Sequence, residues 1–133
     1  VIDKMRREPV IETLWKNGRR LAESVAAEIN AFHLGDVVSL KGAAPWKLVS
    51  LKDHPKASVA AIRTLFNKEM LANGVLVGGS HNICYAHNDA DLGAVAAAYR
   101  RTLSTIAEEL DTGMLEERLG IPPIEPVFAV RKV

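Results

Sequence analysis

Residues 75–110 read VLVGGSHNICYAHNDADLGAVAAAYRRTLSTIAEEL, and their periodicity decides the fold class. From Leu92 onward the apolar residues Leu92, Val95, Tyr99, Leu103, Ile106 and Leu110 recur every three or four positions, which predicts one long amphipathic helix. Asn88 or Asp89 is placed to cap it. Ahead of that helix, VLV (75–77) and ICYA (83–86) have the β-branched and aromatic character of short strands, joined by GGSHN.

The same alternation of elements runs through the rest of the chain. Leu14, Gly18, Leu21, Val25, Ile29 and Phe32 mark an apolar helical stripe, and Pro9 starts it afresh after a helical piece at 2–7. Gly18 lies on that stripe at a cost of about 1 kcal/mol against alanine, which implies a close backbone contact. DVVSLKG (36–42) and WKLVSLKD (46–53) read as a strand pair around Gly42 to Pro45. A further helix is expected over 56–72, with Val59, Ile62, Phe66 and Met70 on one face and Asn73-Gly74 ending it in left-handed fashion. A short helical piece follows at 114–119, and the proline-rich GIPPIEPVFAV leads into an extended tail at 121–133. The expectation is an α+β domain: a small, mostly antiparallel sheet of three to four strands covered by about three helices, in two layers.

At 133 residues the chain is expected to form one domain, with 1–32 as a linking helix. A net charge of +1, with basic pairs interleaved with acids, gives no field to attract nucleic acid. No apolar run approaches the roughly 20 residues of a membrane span, and no hydrophobic signal region opens the chain. A single cysteine excludes an internal disulfide framework and suits a reducing, cytoplasmic compartment. The opening VIDKMRREP has no initiator Met and begins in helical pattern, so it reads as an excised piece of something longer.

His81, Cys84 and His87 invite a zinc or thiol reading. On strands, however, residues three apart face opposite ways, and His81 and His87 would lie roughly 20 Å apart at about 3.3 Å per residue. Zinc needs its ligands within about 2.0–2.3 Å of one point, so no metal site is expected. Cys84, between Ile83 and Tyr85, reads as a small buried hydrophobe. His87 stands at the corner before the long helix, where an imidazole can lock a turn through backbone hydrogen bonds. His33 and His54 read as solvated loop residues, and Trp15 and Trp46 as core or interface. Gly78-Gly79 lets the backbone approach a neighbour closely, and Ser80, His81 and Asn82 place polar groups there. The spacing leaves a ligand-facing loop and a simple tight turn both open.

Taken in order, several stretches resemble the C-terminal small domain of class III aminotransferases, the fold-type I pyridoxal-phosphate enzymes. The branch they are most similar to is that of glutamate-1-semialdehyde aminomutase and its aminotransferase relatives. VIDKMRREPVIETLWKNGRRLAESV resembles the helix leading out of the large domain, and VVSLKGAAPWKLVSL the first strand pair. FNKEMLANGVLV resembles the helix and Gly-Val segment that follow, and ICYAHNDADLGAVAAAYRRTLSTIAEEL the Ala-His corner and final helix.

The resemblance implies amino-group transfer through pyridoxal phosphate, held mainly by a large domain that carries the Schiff-base lysine. None of the lysines here (4, 16, 41, 47, 52, 56, 68, 132) stands in a context like that motif, so no catalytic residue is assigned and the piece alone is expected to be inactive. It also implies a homodimer, and as partners the large domain and a small-molecule amino donor and acceptor. This domain would cover the substrate, with Ser80, His81 and Asn82 facing it. The segment GGSHN is shorter than in the aminomutase branch and lacks its acidic residue. No arginine lies between Arg63 and Arg100 to match the carboxylate clamp of the ornithine branch. The competing reading is a non-catalytic α+β binding or oligomerisation module, docking through the first helix and the proline-rich tail.

Overall fold

The computed structural model describes residues 1–124. Two helices open the chain, α1 (Ile2–Arg7) and α2 (Val10–Ala31), followed by a hairpin of β1 (Val38–Lys41) and β2 (Trp46–Leu51). Then come α3 (Val59–Ala72), β3 (Ser80–Asn82), α4 (Asp89–Thr112) and α5 (Leu115–Arg118). The strands form one antiparallel sheet in the order β1-β2-β3, so the fold is α+β as the periodicity predicts.

The two helices that flank β3 start for local reasons. The Ser58 side chain accepts from the Ala61 amide at the N-terminus of α3, satisfying a donor that has no partner within the helix. Asn88 does the same for α4 and completes a capping box with Asp91. Beyond α3, Gly74 takes a left-handed φ of +80°, which a side chain would resist.

α4 packs between α2 and α3, and its face of Leu92, Ala98, Tyr99, Leu103, Ile106 and Leu110 is buried. Side chains of this size each contribute about 1.5–3 kcal/mol when removed from water. The opposing faces are Leu21, Val25 and Ile29 of α2 and Ile62, Phe66 and Met70 of α3. Gly18 joins α2 to the hairpin: a Cβ there would stand 2.0 Å from the Ala44 carbonyl oxygen, so only glycine allows this contact.

Register assigns the two faces of the sheet. Leu40 pairs with Val49, Val38 with Leu51 and Lys47 with His81, and this face turns toward the helices. Ser39, Lys41, Trp46, Leu48, Ser50, Ser80 and Asn82 alternate onto the other face. That face is open, with Trp46 59% and Leu48 44% exposed.

Several expectations are corrected. VLV (75–77) is not a strand, although Val77 is buried and Leu76 exposed, which imitates strand alternation. β2 hydrogen-bonds to the chain at Gly79 and at β3 instead, so 75–77 has no ladder to join. ICYA (83–86) is not a strand either: the His87 amide donates to the Cys84 carbonyl, closing a turn. Cys84 is accordingly exposed rather than packed. Neither Trp15 nor Trp46 lies in the core. Of the tail expected at 121–133, residues 121–124 are irregular and exposed, and the rest lies outside the described residues.

Candidate functional site

A turn replaces the expected second strand, and both histidines border the same cavity. Ser80, His81, Asn82, His87 and Asp91 all border one cavity of about 230 Å³, closed on its apolar side by Leu21, Leu92 and Val95. The separation expected from an extended chain therefore does not arise, because the backbone reverses at residues 84–87. Among the described residues no group of three histidine, cysteine or acidic side chains is placed to hold a metal.

His81 is the inward member of its strand. Its Nε2 lies 2.7 Å from the hydroxyl of Tyr99, and the two rings are tilted with centroids 5.4 Å apart. Burial holds the His81 pKa below its ordinary value, so the imidazole is neutral at pH 7. Burial also pushes the Tyr99 phenol far up, keeping its proton in place. With both groups neutral the pair shares one hydrogen bond, either Tyr99 O–H donating to Nε2 or Nε2–H donating to the Tyr99 oxygen, according to the imidazole tautomer. Ser80 and Asn82 alternate onto the open face of the sheet, so the three candidates share a strand and a cavity rim but not a direction.

His87 occupies the corner between turn and helix. Its Nδ1 accepts from the Cys84 amide at 3.2 Å, and its carbonyl accepts from the side chain of Asn17 at 3.2 Å. Asn17 is buried on α2, and its sequence context does not mark it, because a lone asparagine beside an apolar stripe gives no sign of a partner 70 residues away. Arg20 adds a second tie, 2.6 Å from an Asp89 carboxylate oxygen. That bond and the positive charge hold the Asp89 carboxyl below its ordinary range. Lys4 of α1 sits 5.2 Å above the Tyr85 ring. The first two helices thus brace the 84–89 corner from outside.

No described lysine is buried. Lys47, half-buried, donates to the Gly42 carbonyl, while Lys56 and Lys68 donate to the carbonyls of Asp111 and Leu119. A Schiff-base lysine needs a desolvated pocket that lowers its pKa, and these residues do not form one.

No protein-family model matches the chain, and no curated protein matches it. Two solved structures are similar in fold. One is the FumI protein of Sphingopyxis sp. MTA144 in its PLP internal aldimine form, with a TM-score of 0.69 and 22% identity, over 83% of this chain and 26% of that one. The other is a transaminase with PLP bound, with a TM-score of 0.65 and 19% identity, over 74% of this chain and 24% of that one. The chain spans about a quarter of the length of these structures.

Proposed function

We propose that this chain is the substrate-covering C-terminal domain of a pyridoxal-phosphate aminotransferase of class III, in the branch similar to glutamate-1-semialdehyde aminomutase. The observation that carries the reading is the fold shared with two transaminase structures over most of this chain's length. The ordered motifs from the first helix to the Ala-His corner supply the branch. In this reading the large domain brings the cofactor and its lysine, and the cofactor supplies the electron sink for amino transfer to a keto or aldehyde substrate.

The part left to this domain is positioning and exclusion of water. His81, held neutral with its Nε2 engaged by Tyr99, keeps Nδ1 as its second ring nitrogen for a polar group of the substrate. A side chain already fixed by one hydrogen bond loses little entropy when it makes another. Ser80 and Asn82 contribute polar groups on the open side of the same strand. Closing this surface over the substrate removes water and strengthens each polar contact. Exposed Ile2, Met5, Ile11 and Trp15 on α1 and the start of α2 form the surface that meets the large domain.

The same exposed residues favour a second reading, a non-catalytic module that docks or oligomerises through α1 and α2. The coding sequence upstream of Val1 separates the two. A large domain with a lysine motif is expected there; an unrelated domain contradicts the aminotransferase reading.

A further inference from the structure

A second concavity shares no lining residue with the cavity at His81. It is a groove of about 580 Å³ between the C-terminal half of β2, the 77–79 segment and one face of α3. Its volume falls in the range of small-molecule sites, roughly 300–1,000 Å³. Leu51, Phe66 and Val77 supply an apolar floor, and Phe66 and Val77 are themselves buried.

The rim is cationic. Lys41 from β1 and Arg63 from α3 both border the groove, with neutral Ser50 and Asn67 beside them and no carboxylate. Among the described residues neither cation forms an ion pair, whereas Arg20, Arg100 and Arg118 each have an acidic partner. The chain's net charge of +1 gives no general attraction for anions, so whatever draws one here is local. A cation beside an apolar floor is less well screened than one in open water, so each can attract an anion locally. A guanidinium also matches the two oxygens of a carboxylate in a fork, which a point charge does not.

We propose that this groove binds a small amphiphilic carboxylate, its anionic end on Arg63 with Lys41 farther along the rim, and its hydrocarbon body on Leu51. Arg63 and Lys41 stand on different elements, and both border the groove because α3 packs on β2 of the hairpin. The site needs no pyridoxal phosphate, so its failure leaves the aminotransferase reading standing, and the converse also holds.

The test is a titration of the ¹⁵N-labelled full chain with 4-phenylbutyrate, followed by NMR, with neutral 4-phenylbutanamide as the control. The expected result is saturable shifts of the Ser50, Asn67, Gly78 and Gly79 amides. Arg63→Gln, an exposed position, should leave the spectrum folded and weaken binding about tenfold, the loss of one charged hydrogen-bonding group. The amide should bind more weakly than the carboxylate by a similar factor. Shifts that are absent or lie elsewhere overturn the proposal. So does Arg63→Gln binding as well as the parent chain, or the amide binding as well as the carboxylate.

Discussion

The hydroxyl of Tyr99 lies 2.7 Å from Nε2 of His81, joining the buried face of α4 to the inward face of β3. β3 has only three residues, and at that length a strand holds its place by what it packs on. Tyr99→Phe keeps the ring and its tilted contact with Phe66 but leaves a half-buried imidazole nitrogen unpartnered. The expected loss is about 1–2 kcal/mol in urea unfolding, seen as a lower midpoint at unchanged slope. An unchanged midpoint contradicts the assignment.

His81 also sets a pH dependence. Its folded pKa is lowered from 6.5 by burial, so on acidification the unfolded chain takes up the proton first. The stability it contributes is complete above about pH 6.5 and declines as the pH falls through the lower folded value. Glu8, Asp89 and Glu116 are held below their ordinary carboxyl values, and their contributions are lost only in more acid solution. Unfolding curves just below pH 6.5 should therefore fall for the parent chain and flatten for His81→Gln. Parallel curves for the two proteins contradict the sign or the residue.

Gly18→Ala tests the seam between α2 and the hairpin. Helix propensity alone predicts a gain of about 1 kcal/mol. Against it, the added carbon meets the backbone of Ala44 and Pro45, which no rotamer change relieves. A net loss of about 1–3 kcal/mol is expected, in the range of overpacked cores. A rise in Tm on substitution is the contrary outcome.

Asn88→Ala removes the one side-chain oxygen that caps α4, which accepts from both the Ala90 and Asp91 amides. About 1 kcal/mol should be lost, and Asn88→Ser should recover most of it. Equal stability of the alanine and serine variants would mean that the corner is held instead by Arg20 and Asn17.

How far the sequence discloses this structure depends on the range of the interaction. The faces of α2 and α4 are readable because period and burial come from the same residues, and Asn88 caps where local chemistry places it. Gly18 is readable as an anomaly on its stripe, though the Ala44 carbonyl it admits is not. The 75–86 segment misleads because apolar alternation describes burial, while a strand also needs a neighbour with free backbone groups. β2 spends its pairing on 79–82. Tyr99 reads as core and is core, yet its hydroxyl partner lies on another element. The groove bordered by Lys41 and Arg63 depends on how α3 packs on the hairpin, and no local pattern encodes it.

In the proposed reading this chain belongs to a longer aminotransferase, and the most direct test is amino transfer by that full-length protein, reconstituted with pyridoxal phosphate. The account predicts a long-wavelength cofactor band removed by borohydride and transfer from an amino donor to a carbonyl acceptor. It also predicts a raised KM or lowered kcat when His81 and Asn82 are changed to alanine. A full-length protein that forms no lysine-bound cofactor contradicts the reading, and unchanged kinetics in the double variant contradict the role given to β3.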